Sequence, residues 1–325
     1  MRDLAETSPR HRPDAGGAVV SKGHWAHRHL LDVDQLTRDE LEACLDLAVE
    51  MRERRERHEA LDHLRGEIVG LAFMEPSTRT RVSFELAATA LGGQVVNLPI
   101  EASSVAKGES LVDTLLTLER TGISTIVLRH SMSGAPYLAA RSCDARIVNA
   151  GDGTHAHPTQ ALLDALTLRE AVGPLEGRKI AIVGDILHSR VARSNIHSLT
   201  TLGASVWLAG PPAWVSDFGD WPGVTVANGL DDALADADAV MALRIQLERS
   251  GGTSAMSLRE YTATWGLDES RMELARQGAP LLHPGPVNEG VEVTAELATS
   301  VRSLIGRQVS NGVPVRMAAL SLLAR

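Results

Sequence analysis

Three hydroxyls and two arginines stand where an apolar run gives way to a helical one, in Glu75-Pro76-Ser77-Thr78-Arg79-Thr80-Arg81. A strand feeding into a helix start at this point makes an anion site. The first backbone N–H groups and the helix dipole face the ligand, hydroxyls add hydrogen bonds, and Arg79 adds a planar cationic fork. The plainer alternative is a Ser/Thr N-cap beside a surface arginine. Arg129-His130 closes another apolar run. After a further one comes Gly151-Asp152-Gly153-Thr154-His155-Ala156-His157-Pro158-Thr159-Gln160. His155 and His157 have the spacing of a metal-ligand pair, but no third ligand in a matching context accompanies them, so no metal is expected. A neutral His157 imidazole bonded to a reacting carbonyl suits the setting better, against the default of a satisfied structural histidine. Nucleotide loops are excluded: the lysine-bearing phosphate loop is absent, and no strand end supplies three spaced glycines.

The elements that must position these residues alternate. Short apolar runs predict strands at Glu67–Met74, Gln94–Leu98, Ser124–Leu128, Arg146–Asn149, Lys179–Gly184, Ser205–Ala209, Thr225–Ala227, Ala239–Leu243 and Pro280–Leu282. Helical spacing predicts helices at Arg81–Leu91, Leu111–Arg120, Thr159–Ala171, Arg190–Leu202 and Glu269–Gln277. Another helix starts at Thr37-Arg38-Asp39-Glu40, which has the form of a capping box. Near-continuous Ile, Val, Leu and Ala in the strands point to sheets covered on both faces, hence to parallel α/β architecture. Open sheets of this kind bind ligands beyond the carboxyl ends of their strands, where the polar clusters above fall. A length of 325 residues allows two such domains, with a boundary near the helix after His157-Pro158-Thr159-Gln160. Leu247–Ser257 reads as a mobile surface loop.

A net charge of −9 excludes non-specific binding to nucleic acid, so an anionic small ligand requires locally gathered arginines. Cys44 and Cys143 lie far apart in apolar-periodic stretches and read as buried structural thiols. No apolar run approaches the ~20 residues that cross a bilayer. Residues 1–25 are polar, lack the apolar core of a secretory signal, and predict a disordered tail on a cytoplasmic protein.

Ser77-Thr78-Arg79-Thr80-Arg81, Arg129-His130 and His157-Pro158-Thr159-Gln160, in that order and spacing, resemble the carbamoyl phosphate signatures of the aspartate and ornithine carbamoyltransferase family. The likeness runs from about His29 to Arg325. It implies two parallel-sheet α/β domains with the active site in the cleft between them: residues 26–158 for carbamoyl phosphate, 159–305 for the amine substrate, and a C-terminal helix 306–325 packed back onto the first. It implies that Ser77, Thr78, Arg79, Thr80 and Arg129 hold the phosphate, while Thr80, Arg129 and His157 polarise the carbamoyl oxygen. Gln160 with the backbone of Pro284, Gly285 and Pro286 would take the carbamoyl amine. Ser103 and Lys107 match a loop that completes a neighbouring subunit's site, implying a homotrimer with shared sites; read alone, Lys107 is a solvated loop lysine. Glu75 would pair across the cleft with Arg190 and Arg249 on closure. No organic cofactor is implied, and some relatives dock a dihydroorotase.

The second half separates the branches of the family. Ornithine enzymes carry a His-Cys-Leu-Pro segment and an Asp-plus-Ser-Met-Gly segment for a cationic side chain. Here His283-Pro284-Gly285-Pro286 stands instead, with neither cysteine near it. Arg190 and Arg244-Ile245-Gln246 match aspartate-binding positions, and two planar cationic forks suit a dicarboxylate. Lys107, Gly285 and Pro286 would complete that site. The expected reaction is carbamoyl phosphate plus L-aspartate to carbamoyl-L-aspartate and phosphate, in de novo pyrimidine biosynthesis. A carbamoyltransferase for another amine such as ornithine, or a catalytically silent binding paralogue, are the alternatives. Asp185 to Asn195 resembles the branch without separate regulatory chains. Ser131, where the family often has proline, and Glu289, where this branch often has arginine, depart from the pattern.

Overall fold

The computed structural model describes residues 25–98, 110–246 and 256–324. Helix α1 (Arg38–Glu56) opens on the expected capping box: the Thr37 hydroxyl accepts from the Glu40 N–H, and the Glu40 carboxylate accepts from the Thr37 N–H. Such a cap contributes ~1 kcal/mol and leaves Leu41, Cys44, Leu45, Ala48 and Met51 on the buried face. There follow β1 (Ile68–Phe73), α2 (Thr78–Ala90), β2 (Gln94–Leu98), α3 (Leu111–Arg120), β3 (Thr125–His130), α4 (Ala135–Ser142), β4 (Arg146–Asp152) and α5 (Pro158–Val172). The second half runs β5 (Lys179–Val183), α6 (Arg190–Thr201), β6 (Ser205–Ala209), α7 (Pro212–Val215), β7 (Val224–Val226), α8 (Leu230–Leu234) and β8 (Ala239–Ala242). It ends with α9 (Leu258–Trp265), α10 (Glu269–Met272), β9 (Leu281–Leu282), α11 (Ala295–Ala298) and α12 (Ile305–Leu323).

The strands form two sheets, ordered β2-β1-β3-β4 and β7-β6-β5-β8-β9, with every strand pair parallel. Strand order reverses between β1 and β3 in the first sheet and between β5 and β8 in the second. At each reversal the flanking connections leave in opposite directions and open a crevice at the carboxyl ends. Glu75, Asp185 and Arg244 stand two residues past the carboxyl ends of β1, β5 and β8, and Arg129 is the penultimate residue of β3. Helix α5 joins the two halves. Its residues Pro158, Thr159 and Ala161–Leu168 are all buried, and it packs against α1, α6 and α12. A helix apolar on all sides is a core helix, so the two residues it presents at its start, His157 and Gln160, rest on a rigid support. Helix α12 returns to pack on α1, α2 and α5.

Three local features differ from expectation. The helix expected at Glu269–Gln277 ends at Met272, because Glu273, Leu274 and Ala275 donate to carbonyls three residues back, a tighter turn that does not propagate. Helix α9 was signalled only by its capping box, Ser257 with Glu260, which the periodicity reading passes over. Cys44 is fully buried, its thiol pushed up to about 12 by desolvation, whereas Cys143 is only half-buried.

Candidate active site

The two crevices open into one cavity of about 930 Å³. Its walls include Glu75, Ser77, Thr78, Arg79, Thr80, Arg129, His157, Gln160, Arg190, Arg244, Gln246, Pro284, Gly285 and Pro286. Ser103, Lys107, Arg249 and the loop expected at Leu247–Ser257, apart from Met256 and Ser257, lie outside the described residues.

One wall is the start of α2. Ser77 sits at the N-cap with extended backbone, yet its hydroxyl makes no capping bond, and no acidic residue occupies the first turn. The first N–H groups and the positive end of the helix dipole thus meet neither a capping side chain nor an acidic one, the arrangement that favours an anion. Arg79 projects from the same turn toward Gly285: a Cβ at position 285, where φ is +64°, would collide with its guanidinium. Partial desolvation lowers the Arg79 pKa, and among the described residues the guanidinium forms no ion pair, which leaves its charge for a ligand.

Arg129 from β3 and Arg190 from the start of α6 line the cavity together, one from each half of the chain. Arg129 is 8% exposed; its Nη1 donates to the Ala150 carbonyl at 3.0 Å and its Nη2 to Glu75 Oε1 at 2.7 Å. Arg190 reaches the same carboxylate through Nη2 at 2.6 Å and Nη1 at 3.1 Å, and bonds the Gly153 carbonyl at 3.2 Å. Both guanidiniums crowd Gly151, where an added Cβ would lie 3.0 Å from each. A side chain there would have to push one of the two aside.

His157 caps α5 with its backbone N–H on the Ser194 hydroxyl at 2.9 Å. Its ring is 4% exposed, and Nδ1 finds no partner among the described residues. Burial, reinforced by the positive charges of Arg129, Arg190 and Arg316, holds its pKa well below the usual imidazole value. The ring is therefore neutral at pH 7 and retains one N–H for a polarised oxygen. His155, its partner in the two-histidine spacing, is turned elsewhere: Nδ1 lies 3.2 Å from Asp152 Oδ2, and hydrogen bonding to that carboxylate raises its pKa. His130 likewise points away, its Nδ1 accepting the Met132 N–H.

On the far wall Arg244 follows β8 and Gln246 is anchored by its N–H to Asp185 Oδ2 at 3.1 Å. Residues not singled out by motif complete the enclosure. Arg316 is buried on α12, donates to Ser83 Oγ at 2.8 Å, stacks over Phe84, and is lowered to about 10 by desolvation. Its signal in the sequence was faint but present, a lone charge between Val309 and Leu323. Asp164 has the same signature, one carboxylate amid the apolar run of α5.

The arrangement offers an anion pocket, a neutral imidazole, and two further guanidiniums some way across one cavity. Known proteins with this plan are plentiful. Residues 28–170 match the family model for the aspartate/ornithine carbamoyltransferase carbamoyl-P binding domain, and residues 176–323 that for the Asp/Orn binding domain. The aspartate carbamoyltransferase catalytic subunit of Roseiflexus sp. (strain RS-1) is 48% identical over 312 residues, covering 94% of this chain and 98% of that one. That of Thermus aquaticus is 52% identical, with 90% and 97% covered. Aspartate transcarbamoylase from Trypanosoma cruzi, solved with carbamoyl aspartate and phosphate, superposes with a TM-score of 0.81 at 32% identity, covering 90% and 94%. Ornithine carbamoyltransferase from Thermus thermophilus gives 0.80 at 27% identity, covering 92% and 99%. With both of its halves matched in order, the chain belongs to the aspartate/ornithine carbamoyltransferase family.

Proposed function

We propose that the protein transfers the carbamoyl group of carbamoyl phosphate to the amine of L-aspartate, releasing phosphate. The observation that carries this reading is the joining of the α2 anion pocket to Arg190 and Arg244 within one cavity. One anion is met by Ser77, Thr78, Arg79 and Thr80, and a second, with two carboxylates, by Arg190 and Arg244. Gln246, Gly285 and Pro286 complete the aspartate side, as does Lys107 from a neighbour. The identity of the relatives named aspartate carbamoyltransferase supports the same choice of amine.

The chemistry follows from the groups in place. The aspartate amine attacks the carbamoyl carbon directly, since phosphate leaves well without a covalent intermediate. Negative charge grows on the carbamoyl oxygen, where Thr80, Arg129 and neutral His157 donate; losing one such donor typically costs ~10²–10³ in rate. Gln160 and the Pro284–Pro286 backbone hold the carbamoyl amine. Arg79 neutralises the departing phosphate, and a phosphate oxygen takes the proton lost by the amine. Drawing the two halves together excludes water and aligns both reactants, with Glu75, Arg190 and Arg249 as the closure pairs.

The division of labour along the chain is proposed on the same footing: 26–158 with the C-terminal helix 306–325 for carbamoyl phosphate, and 159–305 for aspartate. The packing of α12 on α1, α2 and α5 supports the return of that helix. Assembly as a homotrimer, with Ser103 and Lys107 entering a neighbour's site, belongs to the proposal, as does the capacity to dock a dihydroorotase. A cytoplasmic setting is inferred from two free thiols, which suit a reducing compartment. No helix among the described residues is long and apolar enough to cross a membrane. The deciding assay offers purified protein carbamoyl phosphate with either aspartate or ornithine. Carbamoyl-aspartate is the expected product; citrulline would assign the other branch, and no product would leave a binding paralogue.

A further inference from the structure

Asp164 is a fully buried carboxylate on α5, one turn past Gln160, with no part in the chemistry above. Three side-chain amides converge on it. Gln160 Nε2 donates to Oδ1 at 2.9 Å, Gln308 Nε2 to the same oxygen at 2.7 Å, and Asn195 Nδ2 to Oδ2 at 2.8 Å. They come from α5, α12 and α6, so one side chain ties together three helices around the cavity.

A carboxylate accepts hydrogen bonds and cannot donate, whereas an amide has one end of each kind. Every amide that meets Asp164 must therefore turn its NH2 inward and its carbonyl oxygen away. For Gln308 the result is visible, because its Oε1 accepts the His283 N–H at 2.9 Å. His283 Nδ1 in turn accepts the Gly285 N–H at 2.8 Å, which sets the loop on that side of the cavity. For Gln160, which lines the cavity, the same logic leaves Oε1 as the atom facing a ligand. Burial pushes the Asp164 carboxyl up to about 6 while the three amides and Arg316 favour its ionised form, and the three N–H donors occupy both of its oxygens.

We infer that Asp164 is a positioning residue that sets the polarity of the carbamoyl pocket. By locking the Gln160 carbonyl oxygen toward the ligand it makes that wall accept an N–H, and so selects a carbamoyl group over an acyl group with methyl in its place. The inference rests on the carbamoyl transfer proposed above. A site built to bond a substrate N–H rejects the analogue lacking it, because its own buried acceptor is then left dry. An unlocked Gln160 can rotate, present either end, and lose that discrimination.

The probes are carbamoyl phosphate and acetyl phosphate, which differ by NH2 against CH3. The KM of the first and the inhibition constant of the second are measured for wild type, Asp164→Asn, Asp164→Ser and the double variant Asp164→Asn/Asn195→Asp. The preference for carbamoyl over acetyl is expected to fall about tenfold or more in the single variants, the worth of one well-made hydrogen bond to a buried acceptor. Binding of inorganic phosphate should stay near the wild-type value. In the double variant a carbonyl at position 164 still faces Gln160 while the new NH2 meets the new carboxylate at 195, so the preference should recover. If Asp164→Asn does not fold, Asp164→Ser and the double variant are judged by the same ratio. A wild-type preference in any folded single variant, or equal weakening of both ligands, overturns the inference and leaves Asp164 a buried strut. Wild-type protein that makes no carbamoyl-aspartate removes the proposed function and this inference together; normal wild-type transfer with unchanged variant ratios removes the inference alone.

Discussion

Glu75 Oε1 lies 2.6 Å from Arg190 Nη2, so a carboxylate at the end of β1 grips a guanidinium at the start of α6, in the other half of the chain. The same oxygen holds Arg129 at 2.7 Å. One anion thus balances two cations that would otherwise face each other across Gly151, and it ties the first half of the chain to the second at the cavity wall.

Glu75→Gln keeps the shape and removes the charge. Two largely buried guanidiniums would then repel, at a cost of ~2–3 kcal/mol, somewhat under the figure for a fully buried pair because Glu75 is partly solvated. A lower urea midpoint at unchanged slope, with a reduced kcat, is the expected result. An unchanged midpoint would mean that solvent already screens the contact.

Arg244→Ala removes a charge partner of the amine substrate. The aspartate KM should rise and kcat/KM fall roughly 30-fold or more, from ~2–5 kcal/mol for such a truncation. Carbamoyl phosphate binding should change little. Near-normal aspartate kinetics would make Arg244 a bystander at the cavity wall.

Gly285→Ala places a Cβ against the Arg79 guanidinium and forces a residue with a side chain into φ +64°. The backbone cost is ~1–2 kcal/mol. Displacing Arg79 should raise the carbamoyl phosphate KM about tenfold or more, the worth of a charge-assisted hydrogen bond. Steady-state kinetics with varied carbamoyl phosphate checks this, and an unchanged KM would show that Arg79 has room to yield.

His157 should remain neutral from pH 8 to below 6.5. Its folded pKa is depressed, so below about 6.5 the unfolded chain binds a proton that the folded chain refuses. Its contribution to stability is therefore constant above that pH and is lost progressively below it. Imidazole nitrogen NMR on labelled protein reads the state directly. A His157 midpoint at or above 6.5 contradicts the placement of the ring among three arginines in a dry pocket.

Lys107→Ala and His157→Ala should each be nearly inactive alone. In a closed ring of three that contains both variants, one junction joins an intact His157 to an intact neighbouring Lys107. Reassembled mixtures should then recover up to about a third of full activity, by counting junctions in a cyclic oligomer. No recovery in verified mixed trimers would show that the site is private to each chain and withdraw Ser103 and Lys107 from it.

Much of this molecule was legible in its sequence because the relevant physics is local. Near-continuous apolar strands bounded by helical spacing declare a parallel sheet, and the residues just past each strand must fall at its carboxyl edge. That rule puts Arg79, Arg129, His157, Arg190 and Arg244 on one side of the fold, with motif resemblance supplying their roles. The ends of elements were less legible: Glu273, Leu274 and Ala275 bond only three residues back, and the Arg276 N–H goes to the Ala237 carbonyl, a partner distant in sequence. What tertiary structure alone decided is polarity and partnership. Nothing near Asp164 in the sequence announces Gln308 and Asn195, which lie on other helices, and the direction of an amide depends on what it meets across the core. The neutrality of His157 has the same origin, since three arginines from β3, α6 and α12 surround it and burial removes the water that would otherwise favour its charged form. Periodicity specifies which face of an element is buried; only the packed fold determines which charges and amides are buried together, and that sets the protonation states and hydrogen-bond directions of the site.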